Sequence, residues 1–285
     1  MKRWTLASAV VALAVATPAV AAPARDEVPR GIVVDFKDGT TQAEIDAWES
    51  QWGVDLTFNS MEGEHSGVAI APLAGNPEAV LERIRQNPAV ESAEPIQIYT
   101  LPPQEAALLD GEPPELSRDG FTPNDPEYPR QWNLRMIHMP EAWQRTRGKG
   151  VVVAVLDTGI AYEDYDDFKQ VPDLRGVRFK QGYDFVNDTV HANDDHGHGT
   201  HVAGTIAQAT NNGQRVAGVA FEATLMPVKV LNHFGSGTSA DISDAIRFAA
   251  DNGAQVINLS LGGGGYSQVM ADAVKYARAH GVTVV

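Results

Sequence analysis

An uninterrupted apolar run, Val151 to Leu156, is rich in valine and ends at the turn signal Asp157-Thr158-Gly159. Such runs are typical of strands that are buried on both faces of a parallel sheet. In open α/β sheets, functional groups collect where the strands end. The run therefore predicts an α/β fold with Asp157 at the carboxyl end of a buried strand.

A helical pattern begins at His198. Ala203, Gly204 and Ala207 are small enough for this helix to pack closely against a sheet. A histidine at a helix start lies near the positive end of the helix dipole, which disfavours the imidazolium and keeps the ring available as a base. A carboxylate on the other ring nitrogen would fix the tautomer. The pattern therefore predicts that Asp157 and His198 act as a pair.

Four motifs occur in a characteristic order between about residue 121 and residue 285, and together they resemble the subtilisin family of serine endopeptidases, in its thermitase-like branch. The motifs are Thr122-Pro123-Asn124-Asp125-Pro126, Asp157-Thr158-Gly159, His198-Gly199-Thr200-His201-Val202-Ala203-Gly204 and Ile257-Asn258-Leu259-Ser260-Leu261-Gly262-Gly263. The resemblance implies a subtilisin-like parallel sheet with helices on both faces. It also implies that Asp157 is the orienting acid and His198 the general base of an Asp-His-Ser triad.

In that family the nucleophilic Ser and the oxyanion Asn lie further along the chain, the Asn just after the strand that corresponds to 281–285. We therefore expect residues 121–285 to be only the N-terminal portion of the peptidase domain, and the 285 residues alone to be inactive.

The resemblance further implies two peptide-binding edges. Gly235-Ser236-Gly237 and Ser260-Leu261-Gly262 match segments that flank an extended peptide in the family. Small residues at these places let a substrate backbone pair as an added strand. Polypeptide substrates are therefore expected, and an endopeptidase explains the edges better than an esterase does.

A structural calcium site is also implied by the resemblance. Its ligands would be the side chains of Asp125, Asp173 and Asn212 and the backbone carbonyl groups of Ala209, Gln214 and Val216. An all-oxygen set of this kind suits Ca²⁺. The alternative is that these are ordinary solvated loop residues.

Two other functions remain open. His196, His198 and His201 have the H-x-H-x-x-H spacing of metallohydrolases, although Thr200 stands where that motif needs Asp and the chain has no Cys. His201, considered by itself, is expected to form a hydrogen bond within the fold and not to take part in the chemistry. The chain could instead be a non-catalytic fragment that acts as a binding or inhibitory protein.

Export is predicted for residues 1–21, which form a signal peptide with a basic start, a short apolar core and small residues before the cleavage site. The protein is therefore expected to be secreted, either extracellular or periplasmic in transit. A net charge of −15 argues against a nucleic-acid partner. No later apolar run is long enough to suggest a membrane partner.

A small α+β unit is predicted for residues 30–99. A strand at Ile32–Phe36 precedes a capping box, Thr41 to Glu44, and a helix with Ile45, Trp48 and Trp52 on one face. A strand pair at 54–58 and 67–71, a helix after Asn76-Pro77 and a last strand at 96–99 complete a ferredoxin-like β-α-β-β-α-β order.

This order resembles the inhibitory propeptide of subtilisins, so the unit is expected to act as an intramolecular inhibitor. An unrelated binding role is the alternative. Residues 100–120, rich in Pro, Glu, Asp and Gly, are predicted to be a linker before the peptidase domain at 121–285.

Overall fold

The computed structural model describes residues 31–73, 75–102 and 120–285. The predicted signal peptide and nearly all of the predicted linker lie outside the described residues. Among the residues that are described, no helix is long and apolar enough to cross a bilayer.

Residues 31–95 form a small α+β layer structure, called the N-terminal unit below. Its elements are β1 (Gly31–Phe36), α1 (Gln42–Trp52), β2 (Thr57–Phe58), α2 (Met61–Ser66), β3 (Val68–Pro72), α3 (Glu78–Ile84) and β4 (Val90–Pro95). The strands are antiparallel in the order β2-β3-β1-β4. This is the order of a split βαβ sheet, which confirms the predicted ferredoxin-like arrangement.

The predicted capping box is present at α1. The Thr41 side chain accepts a hydrogen bond from the backbone of Glu44, and the Glu44 carboxylate accepts one from the backbone of Thr41. Gly53 ends the helix with a left-handed φ of 73°. Ile45 and Trp52 are buried, and Trp48 packs beside them, as the helical period predicts.

Two predicted strands differ from the observed ones. The strand predicted at 54–58 is observed only at β2. Helix α2 follows it and was not predicted, because a helix this short shows no apolar period in the sequence. The sheet ends at Pro95, and a separate strand, β5 (Ile98–Thr100), pairs outside the N-terminal unit. The chain leaves the sheet where the backbone nitrogen of Gln97 donates to the Ser239 hydroxyl at 3.1 Å.

Residues 120–285 form a three-layer α/β structure, called the C-terminal domain below. Its elements are α4 (Trp132–Met136), α5 (Met139–Ala142), β6 (Val152–Asp157), β7 (Arg178–Phe179), β8 (Tyr183–Asp184), α6 (His198–Ala207), β9 (Thr224–Lys229), β10 (Ser236–Thr238), α7 (Ser239–Asp251), β11 (Val256–Asn258), α8 (Gln268–Ala279) and β12 (Thr283–Val284). Short 3₁₀ turns lie at Tyr128–Arg130 and Pro172–Leu174.

The main sheet is parallel, in the order β12-β11-β6-β9-β7, and β8 also pairs with β9. Val153 and Val155 of β6 pack on the side of α6, whereas Ala154 and Leu156 pack on the side of α7 and α8. Both faces of β6 are therefore covered, which is why its sequence is continuously apolar. The predicted parallel sheet with helices on both faces is confirmed.

The N-terminal unit rests on α7 and α8. Successive residues of β1 face opposite sides of the sheet. Ile32, Val34 and Phe36 point into the core beneath α1 and α3. Val33, on the opposite face, packs with Ala240 and Val269 of the two C-terminal-domain helices. Strand β1 is consequently buried on both sides.

Candidate active site

Asp157 and His198 form a direct pair at the carboxyl end of β6. The Nδ1 atom of His198 lies 2.8 Å and 2.9 Å from the two carboxylate oxygens of Asp157. The Asp157 side chain is fully buried, while 13% of the His198 side chain is exposed. Because an ionised carboxylate can only accept, it holds the hydrogen on Nδ1 and leaves Nε2 as the basic nitrogen.

The two residues meet because α6 starts directly against the end of β6. A Cβ atom on Gly199 would lie 2.1 Å from the carbonyl oxygen of Gly159, so only glycine allows this approach. Ala203, Gly204 and Ala207 continue the buried face of α6, as predicted. The helix ends at Ala207.

Asp194 connects the strand end to the helix start, a role that the sequence analysis missed. Its carboxylate accepts hydrogen bonds from the Thr158 hydroxyl at 2.8 Å and from the backbone nitrogen of Thr200 at 2.9 Å. It also accepts from the backbone nitrogens of His196 and Gly197. An aspartate just before a helix was an available signal, because such residues accept hydrogen bonds from free N–H groups at helix starts.

Lys229, which pairs with Asp157 across β6 and β9, is a second residue that was missed. Its side chain is 1% exposed, and Nζ donates to Asp195 at 2.6 Å and to the carbonyl oxygens of Thr158 and Leu231 at 2.7 Å and 2.9 Å. A lysine inside an apolar strand run could have signalled a buried cation with dedicated partners.

Burial raises the pKa of the Asp157 carboxyl above its ordinary value, while hydrogen bonds from His198 and the Thr158 backbone oppose the shift. The ionised carboxylate of Asp157 interacts at neutral pH with one side-chain partner, the His198 ring. The arrangement suits proton transfer through Nε2 of His198 with Asp157 stabilising the imidazolium.

The predicted peptide-binding edges flank β5. Ser236, Gly237 and Thr238 pair with Thr100, Tyr99 and Ile98 in antiparallel register. The backbone nitrogen of Leu101 donates to the carbonyl oxygen of Gly235 at 3.0 Å, and Thr100 exchanges two backbone hydrogen bonds with Gly262 at 2.8 Å and 2.9 Å. Residues 98–101 therefore lie as an added strand between the two edges.

Other residues of these edges have supporting positions. The Ser260 hydroxyl accepts a hydrogen bond from Asn258, and Leu261 packs partly against the core. A Cβ atom on Gly264 would lie 3.1 Å from the carbonyl oxygen of Ile98 and 3.3 Å from the Tyr99 ring. The glycine run after β11 thus lets β5 approach closely.

A Gly-Thr-Ser sequence at 237–239 could suggest a nucleophile. Ser239 is fully buried, and its hydroxyl accepts the hydrogen bond from Gln97. Ser239 begins α7 beneath the N-terminal unit, and its hydroxyl takes part in the packing of the two units.

The predicted calcium ligands gather around the loop 209–218. Asp125 accepts hydrogen bonds from the backbones of Asn211 and Asn212 at 2.6 Å and 3.1 Å. Both buried carboxylate oxygens of Asp173 lack a hydrogen-bond partner among the described residues. Burial raises the pKa of Asp173, and the nearby Asp125 charge raises it further.

Two acids and an amide near one another, with a buried carboxylate that has no well-formed hydrogen bond, fit a hard cation with oxygen ligands. The Asn212 side-chain amide and the Val216 backbone N–H lie close enough to Asp173 to oppose the rise in its pKa. The carbonyl groups of Ala209, Gln214 and Val216 stay predicted ligands.

The histidine metal site receives no support. His196 and His201 are exposed, and His198 has its Nδ1 directed at Asp157. Within the described ranges, no group of three or more His, Asp or Glu side chains is placed to hold a metal ion. The expectation that His201 hydrogen-bonds inside the fold was wrong, because its position on α6 faces solvent.

Residues 161–171 contact the loop that carries His191 and Asn193. Glu163 lies 2.9 Å from Nδ1 of His191 and accepts a hydrogen bond from Asn193 at 2.9 Å. The Tyr165 ring stacks on His191 with the centroids 3.6 Å apart.

Comparison with known families agrees with this geometry. Residues 148–285 match the family model Peptidase_S8, described as the subtilase family. Residues 148–285 are therefore a subtilase domain, the domain of a family of serine peptidases.

Individual relatives point the same way. The chain is 39% identical over 213 residues to the thermophilic serine proteinase of Bacillus sp. (strain AK1), covering 74% of this chain and 47% of that protein. It is 40% identical over 166 residues to thermitase of Thermoactinomyces vulgaris, covering 58% of this chain and 57% of thermitase. The chain thus spans about half the length of the curated relatives that it matches.

Among solved structures, fervidolysin from Fervidobacterium pennivorans, described as a keratinolytic enzyme related to subtilisin, aligns with a TM-score of 0.66 and 25% identity. The alignment covers 92% of this chain and 40% of fervidolysin. Because it covers most of the chain, the likeness includes the N-terminal unit as well as the parallel sheet.

Proposed function

We propose that this protein is a secreted serine endopeptidase in which Asp157 orients His198 and His198 activates a serine located further along the reading frame than residue 285. The observation that carries this proposal is the contact of His198 Nδ1 with the buried Asp157 carboxylate at 2.8 Å. The match to the subtilase family supplies the third member of the triad as an expectation.

In this mechanism Nε2 of His198 takes the serine hydroxyl proton while the serine oxygen bonds to the scissile carbonyl carbon. The carbonyl electrons move to oxygen, where backbone donors and an asparagine further along the reading frame would hold the negative charge. The imidazolium then gives its proton to the leaving amine as the C–N bond breaks. Water, deprotonated by His198, releases the acyl group from serine in the same way.

Substrates are proposed to be extended polypeptides that take the place of β5. Gly235-Ser236-Gly237 on one side and Ser260-Leu261-Gly262 on the other would bind them through backbone hydrogen bonds. Backbone recognition along both sides of a strand suits internal segments of a chain, which favours endopeptidase activity.

The segment 30–99 is proposed to be an inhibitory propeptide, followed by a linker at 100–120 that is cut during maturation. The pairing of β5 with β10 supports this role, because the tail of the N-terminal unit fills the edges that a substrate would need. Export by a signal peptide at 1–21 is proposed from the sequence. One relative, from Xanthomonas campestris pv. campestris, is named as an extracellular protease.

Structural calcium is proposed to bind Asp125, Asp173 and Asn212, with carbonyl groups of Ala209, Gln214 and Val216 completing the ligands. The unsatisfied carboxylate of Asp173 supports the proposal. The bound cation would offset the repulsion between the two acids and hold the loop 209–218 against the start of the domain.

The test is peptide hydrolysis by the protein made from its full reading frame. We expect hydrolysis of casein that a serine-directed phosphonofluoridate abolishes, and a kcat loss of about 10⁶-fold in the His198→Ala variant. The matched control is His201→Ala, an exposed histidine on the same helix, which should retain activity. A reading frame that ends without a nucleophile motif, or hydrolysis that survives His198→Ala, would contradict the proposal.

A further inference from the structure

The N-terminal unit docks on the C-terminal domain through buried carboxylates as well as apolar contacts. Val33 and Val68 pack with Ala240 and Val269 to form the apolar part. Glu94 of β4 accepts hydrogen bonds from the Ser267 hydroxyl at 2.6 Å and the Gln268 backbone at 2.9 Å at the start of α8. Between these contacts lies Asp244 of α7, with no exposed surface.

Asp244 is held almost entirely by one short segment of the N-terminal unit. Its carboxylate accepts hydrogen bonds from the Ser60 hydroxyl at 2.6 Å and the Asn59 amide at 2.9 Å, and the Ser66 hydroxyl lies 3.5 Å away. All three donors come from residues 59–66, which include α2. The side chain is therefore buried only while the N-terminal unit is docked.

Among the residues that the structure describes, the side chains that donate to Asp244 are all neutral. The ionisable groups that face it are Asp241 of the same helix and Glu62 of α2, and both are acidic. Arg247, one turn along α7, instead directs its guanidinium at Asp35 at 3.0 Å. Docking therefore buries the charge of Asp244 without an opposite charge, and such burial is costly.

Asp35 of β1 is the second buried carboxylate of this interface, and it differs because it has a partner. Arg247 faces it from α7, while the acids Glu91, Asp272 and Asp38 face it from β4, α8 and the turn after β1. Burial raises the pKa of Asp35 to about 7 although Arg247 opposes the shift. Asp35 is therefore a second pH-sensitive group of this interface, and it keeps part of the pH dependence when Asp244 is replaced.

We propose that Asp244 makes the docking of the N-terminal unit dependent on pH, so that the unit is bound tightly in acid and loosened as the pH rises through neutrality. This inference rests on the proposed role of the unit as an inhibitor. Its consequence is that a newly made precursor would stay closed in acidic surroundings and open in neutral or alkaline ones.

The direction follows from proton linkage. Burial raises the pKa of docked Asp244 to about 7 from an ordinary value near 3.8. Docking therefore takes up a proton between these two values, and the affinity falls as the pH rises through that window. Above about pH 7 the carboxylate is ionised in both states, so the affinity becomes level at its weaker value.

The experiment uses the protein made from its full reading frame with His198→Ala, which prevents self-cleavage, and with a specific protease site placed within residues 103–119. After this site is cut, the N-terminal unit is held only by its contacts. Its dissociation constant is then measured by analytical ultracentrifugation as a function of pH. We expect it to rise about tenfold between about pH 5.5 and about pH 7.5.

The decisive variant is Asp244→Asn. The amide oxygen keeps the bonds from Asn59 and Ser60, and the amide nitrogen faces the Ser66 hydroxyl, which can accept from it. Because it carries no charge, this variant should bind more tightly than the parent at about pH 8 and show a smaller pH dependence. The matched control is Asp251→Asn, an exposed aspartate of the same helix that binds Tyr276, which should follow the parent curve.

A second readout does not depend on dissociation. Infrared spectroscopy of the uncut protein should show a protonated-carboxyl band at about pH 6 that is clearly weaker in Asp244→Asn, where only Asp35 contributes to it. Parallel pH profiles for the parent and Asp244→Asn, or no such weakening of the band, would overturn the proposal while leaving inhibition intact. Loss of the cut unit at every pH would overturn docking itself and, with it, the proposed inhibitory role.

Discussion

The Thr158 hydroxyl donates to Asp194 at 2.8 Å and accepts from the backbone nitrogen of Gly199 at 2.9 Å. One side chain thus ties the strand end that carries Asp157 to the helix start that carries His198. Substituting Thr158→Val removes this hydroxyl and leaves the buried N–H of Gly199 without a partner. We expect a loss of about 1–3 kcal/mol in the free energy of unfolding and about a tenfold fall in kcat/KM.

Chemical denaturation and peptide hydrolysis of the protein made from its full reading frame measure both effects. The control is Thr205→Val on α6, where the hydroxyl is exposed and donates only to the carbonyl oxygen of His201. Equal behaviour of the two variants would show that the Thr158 hydroxyl does not hold the site together.

The orienting carboxylate is expected to be essential. Asp157→Asn replaces an acceptor by an amide that cannot hold the Nδ1 hydrogen of His198 in the same way, so kcat should fall about 10⁴-fold with little change in KM. The pH profile gives a second measurement. Since burial raises the pKa of Asp157, activity should fall as the pH drops through that raised value and Asp157 gains a proton. Full activity in the amide variant would remove Asp157 from the triad.

Lys229 is predicted to stabilise the turn after Asp157. Lys229→Met keeps the apolar stem but leaves Asp195 and two carbonyl oxygens without their donor. Because Asp195 is partly exposed and can turn to water, we expect a loss of about 2–3 kcal/mol. Thermal unfolding measures it, with Lys275→Met, a 70% exposed lysine on α8, as the control that should leave the melting temperature unchanged.

Calcium should protect the protein made from its full reading frame. A cation that binds only the folded state adds about 2.7 kcal/mol at a hundredfold excess over its Kd. Asp173→Asn should abolish the rise in melting temperature that calcium produces, and the exposed Asp46→Asn should preserve it. Equal melting temperatures with calcium and with chelator in the unmodified protein would reject the site.

Tyr99 is predicted to carry much of the inhibitory contact. Its ring lies in the core cluster of the C-terminal domain, and its hydroxyl donates to the Gly265 carbonyl at 3.2 Å. In a precursor cut within residues 103–119, Tyr99→Ala should raise the inhibition constant about a hundredfold. The constant is obtained from the recovery of activity on dilution. The exposed Thr57→Ala on β2 is the control, and an unchanged constant for Tyr99→Ala would argue against β5 as the inhibitory segment.

Local patterns explain what could be predicted from the sequence. The buried strand before Asp157, the helix at His198 and the capping box at Thr41 each depend on neighbouring residues, and the structure confirms them. Pairing between distant segments leaves no such local mark. Strand β5 pairs with Ser236 to Thr238, more than 130 residues away, and not with the sheet of the N-terminal unit. The donors to Asp244 likewise come from residues 59–66.

The sequence also led to a wrong prediction of which side chains are exposed. His201 was expected to face the core because it lies one turn along α6 from His198, but the sheet covers only the side of Ala203 and Ala207, so His201 is exposed. The partners of Lys229 and Asp194 likewise come from loops whose course cannot be read from an apolar period.

Backbone hydrogen bonds hold β5 between Gly235 and Gly262, and such bonds are open to almost any extended polypeptide. What distinguishes β5 from those competitors is that it is covalently joined to the domain whose edges it pairs with. Its local concentration does not fall when the solution is diluted, whereas that of any free substrate does. A single cut in the connecting segment would therefore convert a contact that dilution cannot break into one that it can.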